Sequence, residues 1–355
     1  MTLELGLIEG FFGAPWPWDA RARTIAFLAP HGYRFFIYAP KGDPYLRRRW
    51  REPHPLDWAA RLVDLALHCR SLGVRFGVGL SPYELYAQFD EAARKALAQK
   101  LELLGELGVF DLAVLFDDMR GDVPELAARQ VEIVHWIAAH AKHQRLLMCP
   151  TYYSDDPMLD RAFGRRPQRY LENLGRTLDP SIAVLWTGEE VCSRAISVGH
   201  VRRVAEQLGR KPFLWDNYPV NDGQRMSRYL HLRGFTGRSA TLAPYIAAHG
   251  INPMLQPTLT CIPALTLAES YRLHDDYEYG AALHRAAALV LGDELGAKVC
   301  EDLLTLNDVG LERLTNEMRQ ELQQRYGELA HPAAKEITAW LAGVYGTTDE
   351  LVRTQ

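Results

Sequence analysis

Two adjacent acidic residues, Asp117 and Asp118, directly follow the apolar run 113–116, where a predicted buried strand leaves the core. Moving two like charges out of water is costly, so such a pair needs a functional reason. Adjacent residues of a regular strand face opposite sides, so both carboxyls reach one pocket only if the strand breaks at or just before Asp117. Each carboxylate raises the proton affinity of the other, and we expect one to stay charged and one to keep its proton near neutral pH. The pair is therefore suited to acid–base chemistry.

A metal site is the alternative interpretation of paired carboxylates. No histidine lies near Asp117 and Asp118 in the sequence to complete a ligand set. We therefore predict neither a metal ion nor a cofactor.

The elements that would position this pair follow a regular order. Up to about residue 275, short β-branched or aromatic runs alternate with amphipathic helical stretches, which is typical of parallel βα units. Eight strands are predicted, at 4–8, 34–38, 75–80, 111–116, 145–149, 183–186, 212–215 and 250–254. The helical patterns between them include 56–72, 90–107, 124–141, 198–208 and 240–249. Eight repeats predict an α/β fold, a (β/α)8 TIM barrel over residues 1–275. An open doubly wound sheet is the alternative, but no GxGxxG follows the first strand.

Residues 276–355 form the second predicted domain, a small all-helical C-terminal region. Three helices are predicted there, at 281–299, 311–323 and 333–344. They could cap the barrel or build a homodimer interface.

Polar and aromatic residues follow every predicted strand, at the end where barrel enzymes carry their reacting groups. These residues are Glu9–Gly13, Lys41, Ser81–Tyr83, Asp117–Asp118, Thr151–Tyr153, Thr187–Gly188, Asp216–Asn217, Asn221–Asp222 and Asn252–Pro253. Carboxyl, amide and hydroxyl groups beside aromatic walls are typical of a sugar pocket. Taken singly, an Asp or Asn here is more often a turn former or helix cap, Lys41 could be a surface lysine, and Trp215 could pack in the core.

Composition excludes several classes of protein. The chain has 355 residues, 40 basic and 44 acidic, and its net charge of −4 gives no reason to expect a nucleic-acid partner. The first ten residues contain no run long enough for a signal peptide or a membrane span, so we expect a cytoplasmic protein without a membrane partner. The five cysteines are widely spaced and lie in apolar runs, so we expect buried free thiols rather than zinc ligands or disulfides.

Seven short motifs occur in one order along the chain. They are Ile8–Gly13 with Pro15–Trp16, Tyr38–Lys41, Leu115–Asp118, Cys149–Thr151 with Tyr153, Val184–Gly188, Trp215–Asn217 with Asn221–Asp222, and Asn252–Pro253. From about Gly6 to about Leu267, the chain resembles glycoside hydrolase family 84, the bacterial β-N-acetylglucosaminidases and the catalytic domain of animal protein O-GlcNAcase. The resemblance implies a retaining exo-β-N-acetylglucosaminidase in which the substrate's own 2-acetamido oxygen attacks the anomeric carbon to give an oxazoline.

The resemblance also implies a role for each matched residue. Asp117 matches the residue that orients the acetamide, and Asp118 matches the general acid and base. Gly10 and Lys41 match contacts to the sugar's 3-hydroxyl. Asp222 and Asn252 match contacts to its 4- and 6-hydroxyls. The acetamide end of the pocket is matched by Tyr153, Asn217 and Trp215. The implied partner is a glycoside, glycoprotein or oligosaccharide bearing β-linked N-acetylglucosamine.

The sequence departs from the family at three positions near the pocket: Phe12 replaces a tyrosine of many relatives, Tyr152 an acidic residue of the animal enzymes, and Gly42 an acidic residue after the lysine. These departures leave the aglycone preference open between glycosylated protein, a cell-wall fragment and a small glycoside.

Three other functions remain possible from the sequence. One is an inactive N-acetylglucosamine-binding protein, and another is a metal-dependent hydrolase. The third is a hyaluronidase-type endo-enzyme, which would need a long basic groove. The candidate for such a groove is the arginine cluster at positions 47–49 and 51, for which a solvated loop is the favoured interpretation.

Overall fold

Eight parallel strands form a closed barrel in the computed structural model, which describes residues 3–142 and 145–355. The strands are β1 (Leu5–Glu9), β2 (Tyr33–Tyr38), β3 (Arg75–Leu80), β4 (Asp111–Leu115), β5 (Arg145–Cys149), β6 (Ala183–Trp186), β7 (Phe213–Asp216) and β8 (His249–Ile251). Each strand pairs with the next in chain order, and β8 closes on β1 through the partners Leu5 and His249. The predicted (β/α)8 TIM barrel is confirmed, and the open sheet is excluded.

Helices surround the strands, as parallel connections require. They are α1 (Trp18–Leu28), α2 (Leu56–Ser71), α3 (Glu91–Glu106), α4 (Leu126–His140), α5 (Pro157–Phe163), α6 (Tyr170–Thr177), α7 (Val198–Leu208), α8 (Gly223–Met226) and α9 (Pro257–Leu273). Their buried faces and both faces of the strands form a large apolar core, and Leu214 of β7 packs with Val201 of α7 in a second, smaller apolar cluster.

The helix predicted over 240–249 is wrong. A 3₁₀ turn spans Ala240–Tyr245 with Pro244 inside it, and the chain is extended again at His249. Proline lacks the N–H that an α-helix needs and clashes with the preceding turn, so the helical pattern cannot be realised there. His249 instead donates its backbone N–H to Glu4 and joins β8 to β1.

Five helices follow α9: α10 (Tyr279–Leu291), α11 (Asp293–Glu301), α12 (Asn316–Gly327), α13 (Pro332–Leu341) and α14 (Asp349–Thr354). The single helix predicted over 281–299 is divided at Gly292, whose φ of 80° ends α10. The helix predicted over 311–323 is shifted, because a 3₁₀ turn at Leu311–Arg313 precedes α12. A domain boundary at 276 stays a prediction.

The C-terminal helices contact the barrel at several places, and α10 packs along α9. On α13, the buried Glu336 carboxylate accepts hydrogen bonds of 2.9 Å from the backbone N–H groups of Thr258 and Leu259, so it caps the first turn of α9. At the same end of the barrel, where the strands have their carboxyl ends, α14 packs on α8. No helix within the described residues is long and apolar enough to cross a membrane.

Candidate active site

A pocket of about 590 Å³ lies at the carboxyl ends of the strands. Its lining residues are Gly10, Phe12, Asp117, Asp118, Cys149, Tyr153, Thr187, Val191, Cys192, Trp215, Asn217, Val220, Asp222 and Asn252. Of the nine residues to which the family resemblance gives a role, all line the pocket except Lys41, whose ammonium group lies 2.5 Å from Asp117 Oδ2. The barrel thus brings together side chains that are far apart in the sequence.

The two oxygens of Asp117 have different surroundings. Oδ2 accepts from Lys41 Nζ at 2.5 Å, and both side chains are almost completely buried. Oδ1 is also buried, and it has no hydrogen-bond partner among the described residues. A buried carboxylate oxygen without a partner is unfavourable, so Asp117 is prepared to accept a hydrogen bond from a ligand.

Asp118 differs from its neighbour in exposure and in backbone conformation. β4 ends at Leu115, and Asp118 has a φ of 55°, so the chain breaks at the pair as the sequence requires. Its side chain is 26% exposed to the pocket. Tyr153 donates its hydroxyl to Asp118 Oδ1 at 3.1 Å. Burial, with the charges of Asp118 and Asp117, raises the pKa of Tyr153 well above its usual range, so this hydroxyl remains a donor.

The opposite side of the pocket is held by a chain of amide hydrogen bonds. Asn252 Oδ1 accepts from Gly10 N at 3.2 Å, and Asn252 Nδ2 donates to Asn217 Oδ1 at 3.0 Å. Asn217 Nδ2 then donates to the Val191 carbonyl at 2.9 Å. The loops after β1, β6, β7 and β8 are therefore fixed relative to one another.

Asp222 is the third carboxyl group of the pocket. Its Oδ2 accepts from Phe12 N at 2.7 Å. Burial, with a smaller contribution from Asp118, raises the pKa of Asp222 to about 6 although the Phe12 N–H and Lys41 act to lower it.

Gly10 is required by the close approach of Trp215. A Cβ atom at position 10 would lie 2.2 Å from Cζ2 of that ring. Trp215 forms a wall of the pocket, and its Nε1 is buried without a partner among the described residues. Trp186, in contrast, is a core residue whose Nε1 donates to His200 at 2.9 Å.

Several residues near the strand ends face away from the pocket. Glu9 binds Arg21 of α1 at 2.6 Å, and Asp216 binds the buried Arg238 at 2.7 Å. The Tyr152 hydroxyl donates to the Gly164 carbonyl, so this departure from the family lies outside the pocket. These polar groups bond to partners outside the pocket and not to the residues that line it.

The sequence did not identify three lining residues, Val191, Cys192 and Val220. Cys192 was predicted to be buried, which is wrong: it is exposed in the loop between β6 and α7 and lies at the pocket wall. Its apolar neighbour Val191 suggested a core segment, although the distance from Thr187 at the end of β6 could have indicated a loop. Cys69, Cys149 and Cys261 are buried free thiols, and Cys300 is half-buried.

The chemistry of the site depends on acid, amide and aromatic groups. Within the described residues, no group of three or more His, Cys, Asp or Glu side chains could hold a metal ion. The pocket instead combines a buried carboxylate paired with Lys41 at 2.5 Å and, on the same loop, a partly exposed carboxyl group whose Oδ2 lies 3.7 Å from the same ammonium group. This combination can accept a hydrogen bond at one point and transfer a proton at the other.

Comparisons with known proteins identify the family of the chain. The family model for β-N-acetylglucosaminidase matches residues 5–307. The protein O-GlcNAcases of Rattus norvegicus and Mus musculus are each 29% identical over 276 residues, which is 75% of this chain and 30% of theirs. The chain therefore matches less than a third of the length of these relatives.

A solved structure is similar over nearly the whole chain. It is a mutant of the O-GlcNAc hydrolase of Thermobaculum terrenum, with a TM-score of 0.80 and 27% identity, and the match covers 96% of this chain and 81% of that chain. The chain belongs to the β-N-acetylglucosaminidase family, glycoside hydrolase family 84.

Proposed function

We propose that this protein is a retaining exo-β-N-acetylglucosaminidase that uses the substrate's acetamide group as its nucleophile. The observation that carries the proposal is Asp117 Oδ1, a buried acceptor without a partner among the described residues, beside an oxygen already paired with Lys41. An acetamide N–H is a donor that fits this acceptor. A carboxylate that acts as a nucleophile would instead have to reach the anomeric carbon itself.

In the first step, Asp117 Oδ1 accepts the acetamide N–H and orients the group. The acetamide oxygen forms a bond to the anomeric carbon while the bond from that carbon to the aglycone oxygen breaks. Asp118 transfers its proton to the departing oxygen, since it is the carboxyl group exposed to the pocket. Positive charge develops on the oxazoline, and the buried Asp117 carboxylate stabilises it.

In the second step, Asp118 takes a proton from water. The water oxygen bonds to the anomeric carbon, the oxazoline C–O bond breaks, and the acetamide is regenerated. Two inversions at one carbon give net retention. Tyr153 keeps Asp118 oriented in both steps through its 3.1 Å hydrogen bond.

The remaining pocket residues select the sugar. We assign Gly10 and Lys41 to the 3-hydroxyl and Asp222 and Asn252 to the 4- and 6-hydroxyls. Tyr153, Asn217 and Trp215 are assigned to the acetamide end. An analogue with an inverted 4-hydroxyl would leave polar groups of this pocket unpaired, so we expect the gluco configuration to be preferred over galacto.

The surroundings of the pocket favour exo action on a glycoside or glycoprotein. A cleft of about 1250 Å³ shares Cys192 and Asn217 with the pocket and gives room for an aglycone. The hyaluronidase-type alternative needs a basic groove, but Arg47 is buried and Arg49 is paired with Glu52 at 2.5 Å. The names of the mammalian relatives favour a protein-linked sugar as substrate.

Two measurements test the mechanism. Proton NMR of 4-nitrophenyl β-N-acetylglucosaminide hydrolysis should show the β-anomer first. Substrates with one, two or three fluorines on the acetyl group should give successively lower kcat/KM, because fluorine weakens the acetamide oxygen as a nucleophile. The α-anomer first, or kcat/KM independent of fluorine, would refute substrate assistance. Turnover should be unchanged by EDTA, and loss of turnover that zinc or magnesium restores would support the metal-dependent alternative.

A further inference from the structure

The backbone of Asp118 has an unusual conformation, which contacts with other residues must stabilise. Its φ of 55° lies in the left-handed region, which is less favourable than the right-handed region for a residue with a side chain. This conformation turns the Asp118 side chain toward the pocket that Asp117 also faces. The orientation of the proposed general acid therefore depends on contacts to the Asp118 backbone.

Arg47 makes such a contact. Its Nη2 donates to the Asp118 carbonyl oxygen at 3.2 Å, and its Nε donates to the main-chain oxygen of Gln355 at 3.0 Å. Arg47 is 3% exposed, whereas the sequence favoured a solvated loop for its cluster. The neighbouring Arg48 and Arg49 are exposed, as that interpretation requires.

The Arg47 guanidinium is buried away from acidic side chains. Among the described residues it pairs with no Asp or Glu, and its Nη1 is buried without a hydrogen-bond partner. Burying a cation in this way is unfavourable. Its bonds to two main-chain oxygens are the observed compensation, and one of these is the carbonyl oxygen of Asp118.

Aromatic rings fix the orientation of this guanidinium. Its central carbon lies 5.3 Å from the ring centre of Tyr83 and 6.0 Å from that of Phe12. Phe12 also lines the pocket and donates its N–H to Asp222. Arg47 is therefore held between the loops after β1, β3 and β4 and cannot turn away from Asp118 without disturbing them.

We propose that Arg47 is a positioning residue for the general acid: it holds the Asp118 carbonyl in the left-handed conformation that aims the carboxyl group at the leaving oxygen. The inference rests on the proposed role of Asp118. It predicts a defect specific to proton donation rather than a general loss of activity.

The test compares aryl β-N-acetylglucosaminides whose leaving phenols differ in acidity. A weakly acidic phenol needs protonation as it departs, whereas a strongly acidic one such as dinitrophenol needs little. Arg47→Met should lower kcat/KM for the least acidic phenol at least about tenfold, part of the 10²–10⁴ that a positioned acid supplies, and for dinitrophenol hardly at all. Arg47→Lys, which can reach one carbonyl at most, should show the same trend more weakly and guards against misfolding of the first variant.

The control is Arg49→Met, which removes an exposed arginine of the same loop that is paired with Glu52. It should leave kcat/KM unchanged for every phenol. Equal losses across all phenols in both Arg47 variants, or no loss, would overturn the positioning role. Asp118→Asn, measured in parallel, separates the two claims: if it shows no dependence on the phenol, the general-acid assignment itself is wrong.

Discussion

Replacing Asp222 by asparagine should stabilise the fold at neutral pH while weakening the enzyme. Burial in the pocket, with a further contribution from Asp118, raises the pKa of Asp222 from 3.8 to about 6. Asparagine has the same shape and no charge, and its side-chain oxygen can still accept from Phe12 N. The protein should therefore lose an unfavourable buried charge without losing the hydrogen bond. Sugar binding should weaken, which is typical of a functional residue that is costly for stability.

The magnitude follows from the difference in pKa between the two states. A difference of two units corresponds to about 3 kcal/mol, which we reduce to about 2 kcal/mol because Asp222 is partly exposed to the pocket. The folded state has the higher pKa, so it binds the Asp222 proton more tightly than the unfolded state does. The contribution of Asp222 to wild-type stability is therefore greatest below the unfolded pKa of about 4 and is lost as the pH rises through about 6. The variant lacks this decrease.

Thermal unfolding at several pH values between 4 and 8 measures the effect. At about 2.1 cal/mol/K per residue, 2 kcal/mol raises the Tm of a 355-residue protein by about 3 °C. The Tm of Asp222→Asn should exceed that of wild type by this amount at pH 7.5 and match it near pH 4. Asp275→Asn, at an exposed aspartate, is the control and should change neither value. A difference in Tm that is the same at every pH, or a variant less stable at pH 7.5, would refute the reasoning.

Two further substitutions test the packing around the site. Gly10→Ala places a methyl group on the Trp215 ring. Overpacking by about 1–3 kcal/mol should then lower kcat/KM about tenfold or more. Gly199→Ala, at a position with open space around it, should leave kcat/KM unchanged. Glu336→Ala leaves two N–H groups at the start of α9 without their partner and should lower the free energy of unfolding by about 1–3 kcal/mol. Glu328→Ala, at an exposed residue, is its control in urea unfolding, and equal effects of the two would contradict the capping role.

Much of the fold could be predicted from hydrophobic patterns. The strands β3, β5 and β6 begin and end at the predicted residues, because their apolar runs are bounded by charged or turn-forming residues. The hydrophobic pattern does not predict a helix that is buried around most of its surface. Helix α9 is apolar around most of its surface and contains Pro263, so it lacks the amphipathic period that predicts a helix, and it was missed. In the segment 240–249 the period was present, but Pro244 prevents an α-helix.

The site could be predicted where residues end a strand, since barrel topology brings those positions together. Lys41 is instructive, because its sequence context also fits a surface lysine, yet its ammonium group lies against Asp117. Contacts between distant loops could not be predicted. Nothing in the sequence indicates that Arg47 reaches the Asp118 carbonyl, or that Cys192 faces the pocket, because those contacts depend on how separate loops pack.

The most direct test of the proposed function is hydrolysis of 4-nitrophenyl β-N-acetylglucosaminide by wild type, Asp117→Asn and Asp118→Asn. The control is Asp122→Asn, an exposed residue of the same loop that is paired with Arg120. We expect turnover by wild type and control, with kcat lower by about 10²–10³-fold in Asp117→Asn and 10²–10⁴-fold in Asp118→Asn. Full activity in either variant would contradict the role assigned to that residue. A folded wild type that binds N-acetylglucosamine without turnover would contradict the enzyme assignment as a whole.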